Sequence, residues 1–147
     1  MPSIRNMAKD ATMQAAETLC KDTSYIPDEM LDWSPMDFGK SANTILAECA
    51  KVNLSIADAI RGAVPRQAEL DFQSLKSCVV DSAKEVCNAI DSLSDSDLEG
   101  DMQMPWGMIF PTTQAILLPV SHMTYHDGQI NYIQLLLGDT KFHWAEK

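Results

Sequence analysis

A chain of 147 residues, 46% of them hydrophobic, is long enough to bury a substantial core, and one domain is expected over residues 1–147. Its formal net charge of -10 excludes the basic surface that phosphates and anionic lipid require, so neither nucleic acid nor a membrane is expected as a partner. No N-terminal stretch combines a basic flank, an apolar run and a small-residue cleavage site, and the apolar run "AILLPV" is far too short to span a bilayer; a cytoplasmic protein is expected.

Helical periodicity first appears over residues 3–21, with Ile4, Met7, Ala8, Ala11, Ala15, Thr18 and Leu19 on one side and Ser3 placed to cap it. The stretch "DTSYIPDEMLDWSPMDFGKS" follows. Pro27, Pro35 and Gly39 break any regular pattern there, while Ile26, Leu31, Trp33 and Phe38 make it apolar enough to pack onto the body. A second helix is expected over residues 41–61, capped by Ser41 and stopped by Gly62 and Pro65. A third covers residues 66–93, with Phe72, Leu75, Val79, Ala83, Val86, Ile90 and Leu93 near heptad spacing. The short "GAVPR" link predicts that the second and third helices form an antiparallel pair.

Another long connection, "SDSDLEGDMQMPWGMIFPT", turns from acidic to apolar, and its second half is expected to fold over one end of the helices. A fourth helix spans residues 112–137, where Pro119 either kinks it or marks its true start. No stretch has a convincing strand pattern, and Phe142 and Trp144 suggest that the tail docks. The predicted fold is all-α: a four-helix bundle with two long apolar-rich connections.

The four cysteines, Cys20, Cys49, Cys78 and Cys87, form no closely spaced pair and are expected as buried structural thiols. Two of the three histidines, His122 and His126, lie four apart on the fourth helix, sharing a stripe with Pro119, Ile130, Ile133 and Leu137. Both should therefore face the interior. They are either neutral, hydrogen-bonded core histidines or two ligands of one metal ion.

A third ligand must come from a facing helix, and Glu48, one turn from Ile45 and Val52, borders the apolar stripe of the second helix. Glu17 and Glu85 fit solvent faces better. Two histidines and a glutamate would leave open positions for water or substrate, as catalytic zinc sites do. Asp127 is either a solvated acid or a partner of a metal-bound imidazole. Gln129 bonds a carbonyl or orients a ligand, Gly128 is expected to permit close helix packing, and His143 is expected either exposed in the tail or folded back over the mouth of the site.

The stretch "HMTYHDGQINYIQLLLGD" resembles the last helix of the DinB/YfiT-like superfamily, a histidine pair followed by Gly-Gln and an apolar run. The stretch "IPDEMLDWSPMDFGKSANTILAECAKVN" resembles that superfamily's Trp-x-Pro loop leading into the second helix. The resemblance implies a bundle holding a divalent transition metal, zinc or nickel, through three ligands that are commonly all histidines. His122 and His126 match two of them; the third falls on Glu48, a departure that adds negative charge. Characterised members include thiol-dependent transferases and isomerases that use a low-molecular-weight thiol such as bacillithiol or mycothiol, and members often form homodimers. Three readings follow: a metal- and thiol-dependent transferase of unknown substrate, a non-catalytic small-molecule binder, or a dimeric interaction module with structural histidines.

Overall fold

A computed structural model describes residues 1–145. Its long helices are α1 (Ile4–Thr23), α2 (Ala42–Ile60) and α3 (Leu75–Asp91). A short turn of helix, α4 (Asp95–Leu98), leads to strands β1 (Asp101–Gln103) and β2 (Ile109–Pro111). Another single turn, α5 (Thr112–Ala115), precedes the last long helix, α6 (Leu118–Leu136). The expected all-α bundle is present. The caps behave as their residue types require: Ser3 Oγ accepts from the Asn6 N–H at 3.2 Å and Ser41 Oγ from the Thr44 N–H at 3.1 Å. Pro119, second residue of α6, marks that helix's start, because its missing N–H is one the first turn leaves unpaired anyway. No helix among the described residues is long and apolar enough to cross a membrane.

The helix pairing departs from expectation. One core cluster joins the N-terminal halves of α2 and α3 (Ile45, Leu46 and Cys49 with Leu75, Val79 and Ala83) to Ala16, Leu19, Ile130 and Ile133. The other joins the C-terminal halves (Ile56, Ala57 and Ile60 with Val86, Ala89 and Ile90) to Ala8, Ala115 and Ile116. Helices α2 and α3 therefore run parallel, both antiparallel to α1 and α6, in an up-down-down-up order. The predicted antiparallel pair was wrong because residues 66–74 are not helical. The chain leaves α2 at Gly62 (φ +67) and returns along the bundle to start α3 at Leu75, which leaves Phe72 exposed. A 19-residue helix is about 28 Å long, a distance about nine extended residues can cover. Helix α2 contacts α3 on one side and α6, the histidine helix, on another.

Three smaller expectations also change. Residues 101–103 and 109–111 pair as an antiparallel hairpin with Met102 opposite Phe110, although no strand was expected. Three-residue strands are too short to show a period. The buried face of α1 is Ala8, Thr12, Ala16 and Leu19, with Met7 exposed, because an alanine-rich helix carries little amphipathic signal. At the tail, Phe142 and Trp144 stack on each other in solvent, while His143 is buried, stacked on Tyr25 with ring centroids 3.6 Å apart and bonded to Asp139 at 2.7 Å.

Arg66 pins the start of the crossover. Its backbone N–H donates to Asp58 Oδ2 at 2.9 Å, and its guanidinium Nε reaches both carboxylate oxygens. The Arg66 side-chain hydrogen bonds hold the buried Asp58 carboxyl below the usual aspartate range. A lowered folded-state pKa means that this stabilisation is complete above the unfolded aspartate value and fades as pH falls through the folded one. Arg66→Ala should cost about 2 kcal/mol of unfolding free energy at neutral pH by urea denaturation. The difference from the parent protein should shrink below about pH 4.

Candidate metal centre

The centre lies where α2 faces α6. His126 is buried and His122 half-buried, and their rings meet edge to face with centroids 4.6 Å apart, as the inward stripe predicted. Glu48 stands at the rim of the same gap. Its Oε1 lies 3.2 Å from His126 Nε2 and 3.5 Å from His122 Nε2, while its Oε2 is bonded to the Lys40 ammonium. Burial alone would raise the Glu48 carboxyl, but Lys40 and His126 outweigh it and hold the pKa below the usual glutamate value. Burial and the neighbouring His126 hold His122 below the usual imidazole value, favouring the neutral form that a metal requires.

Gln129 orients the His126 ring. Its Oε1 can only accept, so His126 Nδ1–H donates to it at 2.6 Å, which turns Nε2 toward Glu48, where it either shares a proton with the carboxylate or offers a lone pair to a cation. A lone pair facing a carboxylate oxygen at 3.2 Å is repulsive until a proton or a cation sits between them. Gln129 thus orients a candidate ligand rather than bonding a carbonyl. His122 Nδ1 is buried with no hydrogen-bond partner among the described residues, so its Nε2 alone faces Glu48.

Cys49 joins the group. Its thiol and the two histidines place their ligand atoms within 4.8 Å of one another, close enough to hold a metal ion. It was expected as an inert core thiol, and in the metal-free protein burial followed by the Glu48 charge pushes its pKa up to about 12. The sequence signal that sets it apart from the other cysteines is its adjacency to Glu48: residues 48 and 49 sit about 100° apart on α2, so both can border one gap. The other cysteines do not converge on the centre. Cys20, Cys78 and Cys87 are only half-buried, and burial raises the thiol pKa of Cys20, to about 11, and of Cys87.

Two neighbours of the histidines behave unlike either expectation. Asp127 is buried and faces α1, where Asn131 Nδ2 donates to Asp22 Oδ2 and Asp127 Oδ2, each at 3.2 Å. Burial and the adjacent Asp22 push its pKa up to about 7. It is neither a solvated acid nor bonded to an imidazole. A Cβ on Gly128 would meet nothing within 4 Å, so this glycine does not serve close helix packing.

The residues that carry Lys40 into place are strained. Met36 and Asp37 adopt positive φ (56° and 61°), and a Cβ on Gly39 would come within 2.5 Å of the Pro35 ring and 2.7 Å of its carbonyl oxygen. Only glycine fits there, one residue before Lys40.

A model of the DinB family matches residues 8–144. The chain belongs to the DinB family. A solved mutant of a mycothiol-dependent maleylpyruvate isomerase has the same fold, with a TM-score of 0.68 over 88% of this chain at 9% sequence identity. The DinB chain described here spans 63% of that protein's length. No curated protein matches it.

Gly39→Ala should lower stability by about 1–3 kcal/mol in urea denaturation, since backbone as well as ring atoms of Pro35 obstruct the added methyl. Unchanged stability would show that the loop yields without cost.

Proposed function

We propose that this DinB-family protein binds a divalent metal, zinc or nickel, through His122, His126 and Glu48, and uses it in a thiol-dependent transfer reaction in the cytoplasm. The carrying observation is the pair of Glu48 separations. Zinc bonds of about 2.0–2.1 Å at tetrahedral angles set donor atoms about 3.3–3.4 Å apart; the carboxylate oxygen lies 3.2 and 3.5 Å from the two Nε2 atoms. Both separations suit a metal ion shared by Glu48 and each histidine. Lys40 on the far carboxylate oxygen offsets the extra negative charge that glutamate brings where relatives commonly carry histidine, and it holds the carboxylate so that Oε1 points inward.

When bound, the metal would supply positive charge that lowers the pKa of a thiol or water in its open position. The chain's own residues prepare that position. Gln129 keeps a proton on His126 Nδ1, and burial favours the neutral form of His122. The mycothiol dependence of the solved relative, together with the family, supports a small thiol as co-substrate. A small organic molecule, neither nucleic acid nor lipid, is the partner this acidic surface suits, and the exposed Tyr132, Leu135 and Leu136 on α6 suit a homodimer.

A second reading replaces Glu48 by Cys49, and the proximity of its thiol to both histidines favours it. The two are separable. Zinc should raise the melting temperature in proportion to the logarithm of its concentration, as ligand linkage requires. Glu48→Ala should weaken zinc affinity by tenfold or more, Gln129→Leu by 10–100-fold, and Cys49→Ser by little. Retained affinity in Glu48→Ala together with loss in Cys49→Ser would establish the thiol set, and no zinc or nickel shift at all would sink both.

A further inference from the structure

We infer that the cavity of about 440 Å³ between α2, the start of α6 and the β1–β2 hairpin is the chamber for an apolar ring or short acyl chain of the substrate. The inference rests on the proposed metal reading of His122, which forms part of the chamber wall. Val52, Ile56 and Leu118 supply its aliphatic surface, and Trp106 and Tyr125 flank it with aromatic faces. No Asp, Glu, Lys or Arg lines it, and the hydroxyl of its one serine, Ser121, turns back to the Leu117 carbonyl. A small dicarboxylate would find no cation there, so its desolvation would go unpaid. An apolar group gains from leaving water, at roughly 25 cal/mol per Å² buried. For scale, an apolar cavity of about 150 Å³ holds one benzene, so this chamber has room for a substituted or fused ring.

The wall is built rather than incidental. Trp106 sits in the turn of the hairpin, between Met104, which is buried in the second core cluster, and Gly107 at φ +90. The Gly107 N–H donates to the Met104 carbonyl at 2.9 Å and the Met104 N–H to the Met108 carbonyl at 2.8 Å, so the turn that carries the half-exposed indole is fixed. An exposed tryptophan, fixed by a core-anchored turn beside a candidate metal ligand, is placed to meet a ligand face.

The test titrates naphthalene into the metal-free protein, following methyl NMR signals of Val52, Ile56 and Leu118, and separately titrates zinc. Saturable binding with shifts at those methyls is expected. Trp106→Ala, at an exposed position, and Leu118→Glu should each weaken it at least tenfold while leaving zinc affinity unchanged. In the zinc-loaded protein, 2-naphthohydroxamic acid should bind at least tenfold tighter than acetohydroxamic acid, with the advantage lost in Trp106→Ala. Naphthalene that fails to saturate, or that binds Trp106→Ala as tightly as the parent, overturns the chamber even if zinc binds. Naphthalene binding without zinc binding overturns the metal reading and leaves the chamber standing. Equal affinity for the two hydroxamates would detach the chamber from the metal centre and overturn its assignment to the substrate.

Discussion

One carboxylate oxygen faces two imidazole nitrogens across the gap between α2 and α6, and the rest of the site is arranged around that confrontation. With the His126 Nδ1–H given to Gln129, a carboxylate oxygen, two imidazole Nε2 atoms and the Cys49 thiol converge on one gap. Such an arrangement is costly unless a positive charge completes it. Lys40 supplies part of that charge from outside, on the opposite carboxylate oxygen, and so holds Glu48 in the orientation the gap requires. A buried histidine, a strained loop and a half-exposed glutamate are thereby parts of one electrostatic arrangement.

The helix order makes this arrangement reachable. With α2 and α3 parallel, α2 is left between α3 and α6, and its Glu48–Cys49 edge meets the histidine face of α6 midway along the bundle. The crossover that permits this is anchored by Arg66 on Asp58, and the loop that delivers Lys40 depends on a glycine pressed against Pro35. The crossover is long because it must span the bundle, and the loop before α2 is the one that carries a residue, Lys40, to the site.

Much of the site was legible because it obeys helical periodicity. The inward stripe of His122 and His126, the caps at Ser3 and Ser41, Pro119 as a helix start and Glu48 on the edge of the α2 stripe all follow from spacing and residue type. Features set by the relation between helices were not legible. Chain direction across residues 61–74 depends on where an extended segment chooses to pack, so the parallel pairing of α2 and α3 was missed. The meeting of Cys49 with both histidines, the burial of Asp127 against Asp22 and the docking of His143 on Tyr25 depend on a partner distant in sequence. Gly128 misled for the same reason: its role depends on what lies opposite, and nothing does.

The ligand set is the central claim, and X-ray absorption at the metal edge of the zinc-loaded protein reads it directly. The account predicts a first shell of nitrogen and oxygen only, at about 2.0–2.1 Å, with the outer-shell scattering of two imidazoles and no sulfur. A sulfur neighbour at about 2.3 Å would place Cys49 in the first shell and contradict the assignment of Glu48 as the third ligand.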